Sequence, residues 1–186
     1  MSVVFLDTET TGLDPDRHEV WDVAIIEEDG TPHQWHLKPQ HLTTADPNAL
    51  RLTSFYERVD RWTPADNVTP SGWSIHRTAS WEIALMTAGR HLVGAVPSFD
   101  AAFLARLLHD NGHTPAWHYH LVDVEALAAG KLGIAPPWDS HELSRRMGIA
   151  DDYLFLLDGV EYGKHTALGD AAWARLMYQR SLGIGN

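Results

Sequence analysis

Apolar residues along the chain fall into short runs separated by turn-forming clusters, and the spacing within each run predicts its structure. Residues 3–6, Val-Val-Phe-Leu, form a β-branched and aromatic run that meets a carboxylate and then a Thr/Gly/Asp/Pro cluster. This reads as a buried strand leading into a loop over 10–15. A second run, residues 20–26, stops at Glu27-Glu28-Asp29-Gly30, where Asp-Gly predicts a hairpin. The alternating residues 33–37 are its return strand, ended by Pro39. These three strands predict an antiparallel meander. Short helices follow over 47–52 and 54–59, and the polar stretch 60–79, with Pro64, Pro70 and Gly72, reads as a surface loop. Ser80 is placed as the cap of a helix over 81–89, with Glu82 in its first turn. Residues 92–96 read as a buried strand. Phe99, Phe103, Leu104, Leu107 and Leu108 then lie on one helical face, and Asn111-Gly112 ends that helix. A strand over 119–124, a helix near 125–131, a helix over 141–147 capped by Ser140 and stopped by Gly148, and a long helix over 167–181 complete the pattern. A meander followed by alternating helices and strands predicts an α/β fold with a mixed sheet.

The 186 residues suit a single domain, and no repeat or low-complexity tract divides them. With 44% hydrophobic and 21% charged residues the composition is that of a folded chain. The balance of 14 Lys+Arg against 25 Asp+Glu, a formal net charge of −11, argues against broad attraction to a phosphate backbone, so any contact with nucleic acid is local. Carboxylates that hold divalent cations account for part of the acidic excess. The absence of cysteine excludes a disulfide framework, a thiolate zinc site and a cysteine nucleophile. The apolar run before Asp7 is too short for a signal peptide or a membrane span, which predicts a cytoplasmic location and no membrane partner.

Three groups of residues carry candidate chemistry. In Asp7-Thr8-Glu9 the two carboxylates stand at i and i+2, which on a strand puts both on one face. Like charges at the end of a buried strand repel unless a cation lies between them, and hard oxygen ligands suit magnesium or manganese. A solvated strand end fits the same spacing. Asp100 stands between the strand over 92–96 and the helix that follows, at the carboxyl end of a strand where open α/β sheets bind ligands. Helix capping is the competing explanation. In His165-Thr166-Ala167-Leu168-Gly169-Asp170, a helical separation of five would set the two end residues roughly 140° apart, so His165 must precede the helix to share a site with Asp170. There it could act as a general base near neutral pH, or be a plain loop residue beside a first-turn charge.

Taken together, the three groups resemble the DEDDh, or DnaQ-like, family of 3′→5′ exonucleases. Phe5-Leu6-Asp7-Thr8-Glu9-Thr10-Thr11-Gly12-Leu13 matches its first motif, Gly94 through Ser98-Phe99-Asp100 with Phe103-Leu104 its second, and His165 through Asp170-Ala171 its third. The resemblance runs from Met1 to about Gln179. It departs before Phe99, where relatives commonly carry His-Asn and this chain has Ala95-Val96-Pro97-Ser98, a difference that bears on how the substrate strand is held. The resemblance implies a ribonuclease-H-like mixed sheet flanked by helices, two divalent cations, Mg²⁺ or Mn²⁺, release of 5′-mononucleotides from the 3′ end of DNA, and a single-stranded nucleic acid 3′ end as partner. It implies that Asp7 bridges both cations, that Glu9 and Asp170 complete one, that Asp100 reaches the other through water, and that His165 takes a proton from the attacking water. It also implies that Thr10, Thr11, Gly12, Leu13 and Phe99 meet the terminal nucleotide, and that a DNA polymerase or replisome is a partner. An RNA or oligonucleotide substrate, or a noncatalytic nucleic-acid-binding subunit, are the alternatives. The intact set of four carboxylates and a histidine speaks against the last.

Eight tryptophans offer stacking platforms for unpaired bases, Trp62, Trp73 and Trp81 being nearest the irregular 60–79 stretch, although core filling explains most of them. His113, His118 and His120 lack neighbouring acids and read as a solvated strand face rather than a zinc site. Arg58, Arg61, Arg145 and Arg146 are read as phosphate contacts or helix surface.

Overall fold

The computed structural model describes residues 2–62, 72–150 and 152–184. Strands β1 (Val3–Thr10), β2 (Val20–Glu27), β3 (Pro32–His36), β4 (His91–Gly94) and β5 (Val122–Asp123) form one sheet in the order β3-β2-β1-β4-β5. The first three pair antiparallel, and β4 and β5 run parallel to β1. Seven helices accompany them among the described residues: α1 (Pro47–Leu52), α2 (Phe55–Trp62), α3 (His76–Thr87), α4 (Pro97–Asp110), α5 (Val124–Leu132), α6 (Ser140–Arg146) and α7 (Ala167–Leu182). The expected mixed sheet, a three-strand meander extended by parallel strands, is the one observed.

The strand period of two divides the core. Val4 and Leu6 of β1, Val23 and Ile25 of β2, and Leu92 of β4 face Ile83 of α3 and Leu104 and Leu108 of α4. Phe5, Ala24, Ile26 and Val93 face the other way, onto Ala128 of α5 and Ala171, Ala174 and Met177 of α7. A fully buried leucine such as Leu6 or Leu104 contributes about 1.5–3 kcal/mol. The alanines of α7 let that helix lie close to β1 and β2, which brings its first turn over the end of the central strand.

Several boundaries differ from the sequence reading. β1 continues beyond Leu6 because residues 7–10 remain paired with β2, Asp7 opposite Ala24 and Glu9 opposite Asp22, so what was expected to begin a loop at Thr10 is the end of a longer strand. α3 begins at His76 rather than after Ser80. Ala79, Ser80 and Ile83 are buried together, and the Ser80 hydroxyl donates to the Arg77 carbonyl inside the helix instead of capping it. The expected 60–79 loop is thus shortened at both ends by α2 and α3, and residues 63–71 within it lie outside the described residues. Asp139, not Ser140, caps α6, accepting from the Glu142 N–H at 2.9 Å. The strand expected over 119–124 is reduced to β5. A hairpin absent from the sequence reading, β6 (Phe155–Leu157) with β7 (Val160–Tyr162), precedes α7. No helix among the described residues is long and apolar enough to cross a membrane.

Candidate active site

Asp7 and Glu9 follow Phe5 on the α7 side of β1, as the strand period requires. Across from them α7 starts at a cap in which the Thr166 hydroxyl accepts from the Gly169 N–H at 3.2 Å. Gly169 is required there, since a Cβ at that position would overlap the Gly163 carbonyl oxygen and crowd the Thr166 hydroxyl. This tight start carries Asp170, in the first turn, onto β1. One carboxylate oxygen from each of Asp7, Glu9 and Asp170 lies within 4.8 Å of the others, and no other trio of His or acidic residues comes together this way among the described residues.

Asp100 reaches the same region from the opposite layer. It is buried in the first turn of α4, and β4 ends beneath it at Gly94, where an added Cβ would stand 3.0 Å from the Leu6 carbonyl oxygen and 3.7 Å from Asp100 Oδ2. Bare backbone keeps that passage open. The Thr8 hydroxyl donates to Asp100 Oδ1 at 2.7 Å. The carboxylate is therefore tied to the central strand. The stretch 95–98 that departs from the family pattern forms the entry to α4: Val96 precedes the helix, 54% exposed, and Pro97 opens it.

The electrostatics follow from this crowding. Burial pushes the Asp7 carboxyl well above the usual carboxylate range, and the charges of Asp100, Asp170, Glu9 and Asp22 push it further. Burial likewise raises Glu9, reinforced by Asp170 and Asp22 and opposed by Arg58. Burial lifts Asp100 to about 7 against the Thr8 hydrogen bond, and lifts Asp170 to about 6 against the His165 N–H. Two like charges about 4 Å apart repel by about 4 kcal/mol at an effective dielectric constant of 20. A cluster of hard oxygen donors in that condition fits one or more divalent cations, which relieve the repulsion.

His165 stands before the capping Thr166, outside the helix, with φ 60. A left-handed conformation at a residue with a Cβ costs on the order of 1–2 kcal/mol. Here it aims the His165 N–H at Asp170 Oδ2, 2.9 Å away, in a residue that is itself exposed. At the end of β1 the Thr10 hydroxyl donates to the Gly12 carbonyl at 2.6 Å, and in the loop that follows the Thr11 N–H donates to the Glu19 carbonyl at 2.8 Å, so Thr11 is committed within the protein. The space beside Gly12 is taken by the His18 ring. Leu13 is open, 76% exposed. Phe99 is half-buried against Phe103, ring centroids 4.8 Å apart.

Sequence reasoning missed Asp22. It lies opposite Glu9 in the β1–β2 register, fully buried, with Oδ1 accepting from Gln34 Nε2 at 2.9 Å and lying 3.5 Å from His36 Nε2. Its Oδ2 pairs with Arg58 of α2, whose guanidinium also lies over the Trp21 ring, 4.5 Å from its centroid. The reading of Arg58 as a surface cation is corrected: the residue is buried against Asp22 because an acid inside a strand needs an internal counter-charge. The signal was a lone Asp within an apolar run. Arg145 is a helix-surface residue paired with Glu142 at 2.8 Å. Of the tryptophans singled out, Trp81 is 52% exposed, Trp73 packs beside Trp21 and Phe55, and the Trp62 side chain lies outside the described residues. His118 packs against the His91 ring, centroids 4.0 Å apart, in the irregular stretch before β5 rather than on a strand.

No family model matches the chain, and no curated protein matches it. Solved structures do. The chain aligns with an exonuclease I structure concerned with processivity at TM-score 0.68 and 17% identity, over 99% of this chain and 41% of that one. The fold is the ribonuclease-H-like fold of exonuclease I. A zinc-bound complex of E. coli exonuclease I with single-stranded DNA aligns at TM-score 0.64 and 18% identity, over 98% of this chain and 40% of that one. A product-bound exonuclease I aligns at 0.64 and 16%, over 99% and 44%. The chain thus spans about two fifths of the length of the solved chains it matches.

Proposed function

We propose that the chain works as one domain, a cation-dependent exonuclease that removes 5′-mononucleotides from the 3′ end of single-stranded DNA. The observation that carries this reading is the convergence of Asp7, Glu9 and Asp170 within 4.8 Å, with buried Asp100 held beside them by Thr8, on a fold shared with exonuclease I. Asp7, Glu9 and Asp170 would hold one divalent cation, and Asp100, through water, would help hold the other. Such cations supply charge neutralisation and Lewis acidity toward the scissile phosphate. The His165 ring takes the proton from the attacking water, with its backbone anchored to Asp170. Leu13 offers an apolar contact to the terminal base, and Phe99 backs the entry to α4. The acidic surface of the chain, net −11, restricts binding to this one locus.

Single strands of DNA and of RNA, labelled at either end and incubated with magnesium, manganese or chelator, test the reading. The expected result is stepwise loss of 5′-mononucleotides from the 3′ end of DNA, stopped by chelator. Cleavage undiminished in excess chelator, or products from internal positions only, would overturn it. Faster loss from RNA would reassign the substrate.

A further inference from the structure

Beside the acidic cluster lies a buried charge pair that the proposed reaction leaves unused. Asp22 and Glu9 are partners across β1 and β2, so their side chains share a face, about 4.5–5.5 Å apart at Cβ. Both are acids, both are buried, and Arg58 is buried near them. An arginine does not lose its proton in a protein, so its guanidinium takes a carboxylate partner wherever one is within reach. It takes Asp22. That choice is built from both sides: Gln34 holds Asp22 Oδ1 at 2.9 Å and turns Oδ2 to the guanidinium, while the Trp21 ring and the Thr53 carbonyl, 3.5 Å from Arg58 Nη1, seat the arginine. The Arg58 charge still acts on Glu9, favouring its ionised form against burial.

We propose that Asp22 is a positioning residue: by engaging Arg58 it keeps the guanidinium off Glu9, so that Glu9 stays available to a divalent cation. This rests on the proposed cation site. A pair that acted on the site only through the charge of fixed groups would give shifts in cation affinity of similar size and opposite sign for the two single losses. A pair that allocates charge is asymmetric: loss of Asp22 weakens binding far more than loss of Arg58 strengthens it, because the freed guanidinium then occupies Glu9 itself. Asp22→Asn releases Arg58 toward Glu9, where it competes with the cation. Arg58→Met leaves Asp22 as an additional negative charge next to Glu9, held by Gln34 and His36. The double variant removes both charges and restores the starting balance.

The test is Mn²⁺ binding without nucleic acid, followed by calorimetry and by the electron paramagnetic resonance of free Mn²⁺, on the full chain with folding checked by circular dichroism. Asp22→Asn is expected to weaken binding by tenfold or more, Arg58→Met to leave it equal or tighter, and the double variant to return it to within about threefold of the starting protein. Weaker binding by Arg58→Met, or failure of the double variant to recover, overturns the proposal. If Asp22→Asn does not fold, Asp22→Ser, which removes the same charge from a smaller side chain, replaces it with the same expectation. Asp7→Asn separates the two levels. If Asp7→Asn leaves Mn²⁺ binding intact, the cation site itself is misassigned. If Asp7→Asn abolishes binding while Asp22→Asn leaves it unchanged, only the role of Asp22 falls.

Discussion

Asp22 on β2 and Glu9 on β1 face each other across one register position, yet the fold treats them in opposite ways. Asp22 is neutralised from within, by Arg58 and by hydrogen bonding from Gln34. Glu9 is crowded instead with Asp7 and Asp170, and burial raises all three carboxyls. A chain that needed only stability would pair or remove such groups, because an uncompensated buried charge is among the costlier things a fold can contain. The difference separates a buried acid that the chain neutralises itself from a cluster that it leaves crowded, which is the cluster the proposed reaction gives to a divalent cation.

The sharpest break of that contrast is Asp7→Asn. Its carboxylate stands among the other three, so its loss should abolish turnover while the apo protein keeps or slightly gains stability through relief of repulsion. A cation at 100 times its dissociation constant stabilises a protein by about 2.7 kcal/mol. Melting with and without magnesium should therefore show a rise in the starting protein that the variant lacks, and an equal rise in both would remove Asp7 from the ligand set. The next largest effect belongs to His165→Ala, which should slow single-turnover cleavage by about 10²–10⁴-fold while cation binding persists. Near-normal single-turnover rates would show that the ring plays no part in proton transfer.

How much of this was legible in the sequence depended on whether a residue's partner was local. Asp7 and Glu9 could be placed on one face from strand period alone, and the helix period forced His165 outside α7. Their meeting with Asp170 and Asp100 depends on long-range packing, including the bare backbone at Gly94 and Gly169, and only the motif resemblance brought it into view. Asp22 and Arg58 lie 36 residues apart and pair through tertiary structure, so each looked unremarkable alone. The β6–β7 hairpin was signalled locally by Asp158-Gly159 between Phe155-Leu156-Leu157 and the alternating Val160-Glu161-Tyr162. α3 began early for the opposite reason, since the burial of Ala79 and Ile83 against α4 and the sheet outweighed the local preference of Ser80 for a cap.

The comparison also predicts a pH dependence. Asp170 and Asp100 titrate at about 6 and about 7 in the folded protein, above the ordinary value of 3.8. Groups raised on folding stabilise fully below their unfolded value and lose that contribution as pH rises through the folded one. In chelator the melting temperature should therefore fall from pH 5 to pH 8, and saturating magnesium should largely remove the fall. A melting temperature in chelator that is level or rising over this range would contradict the crowded, cation-free site.

The smallest effect expected is at Thr8, where the chain makes its own partial answer to a buried acid. The Thr8 hydroxyl donates to Asp100 Oδ1 at 2.7 Å and opposes the upward push of burial on that carboxyl. Thr8→Val keeps the shape and removes the donor. Hydrogen bonds to charged groups contribute about 1.5–3 kcal/mol, and this one matters most when Asp100 is ionised. In chelator the variant should lose little stability at pH 5, where Asp100 is protonated, and more at pH 8, where the carboxylate has lost a donor. With magnesium present the penalty at pH 8 should shrink, because a cation then shares the charge. Chemical denaturation of both proteins at the two pH values, with and without magnesium, reads this directly. A penalty that is the same under all four conditions would mean that Thr8 packs against Asp100 without serving its charge, and that the acid depends on the cation alone.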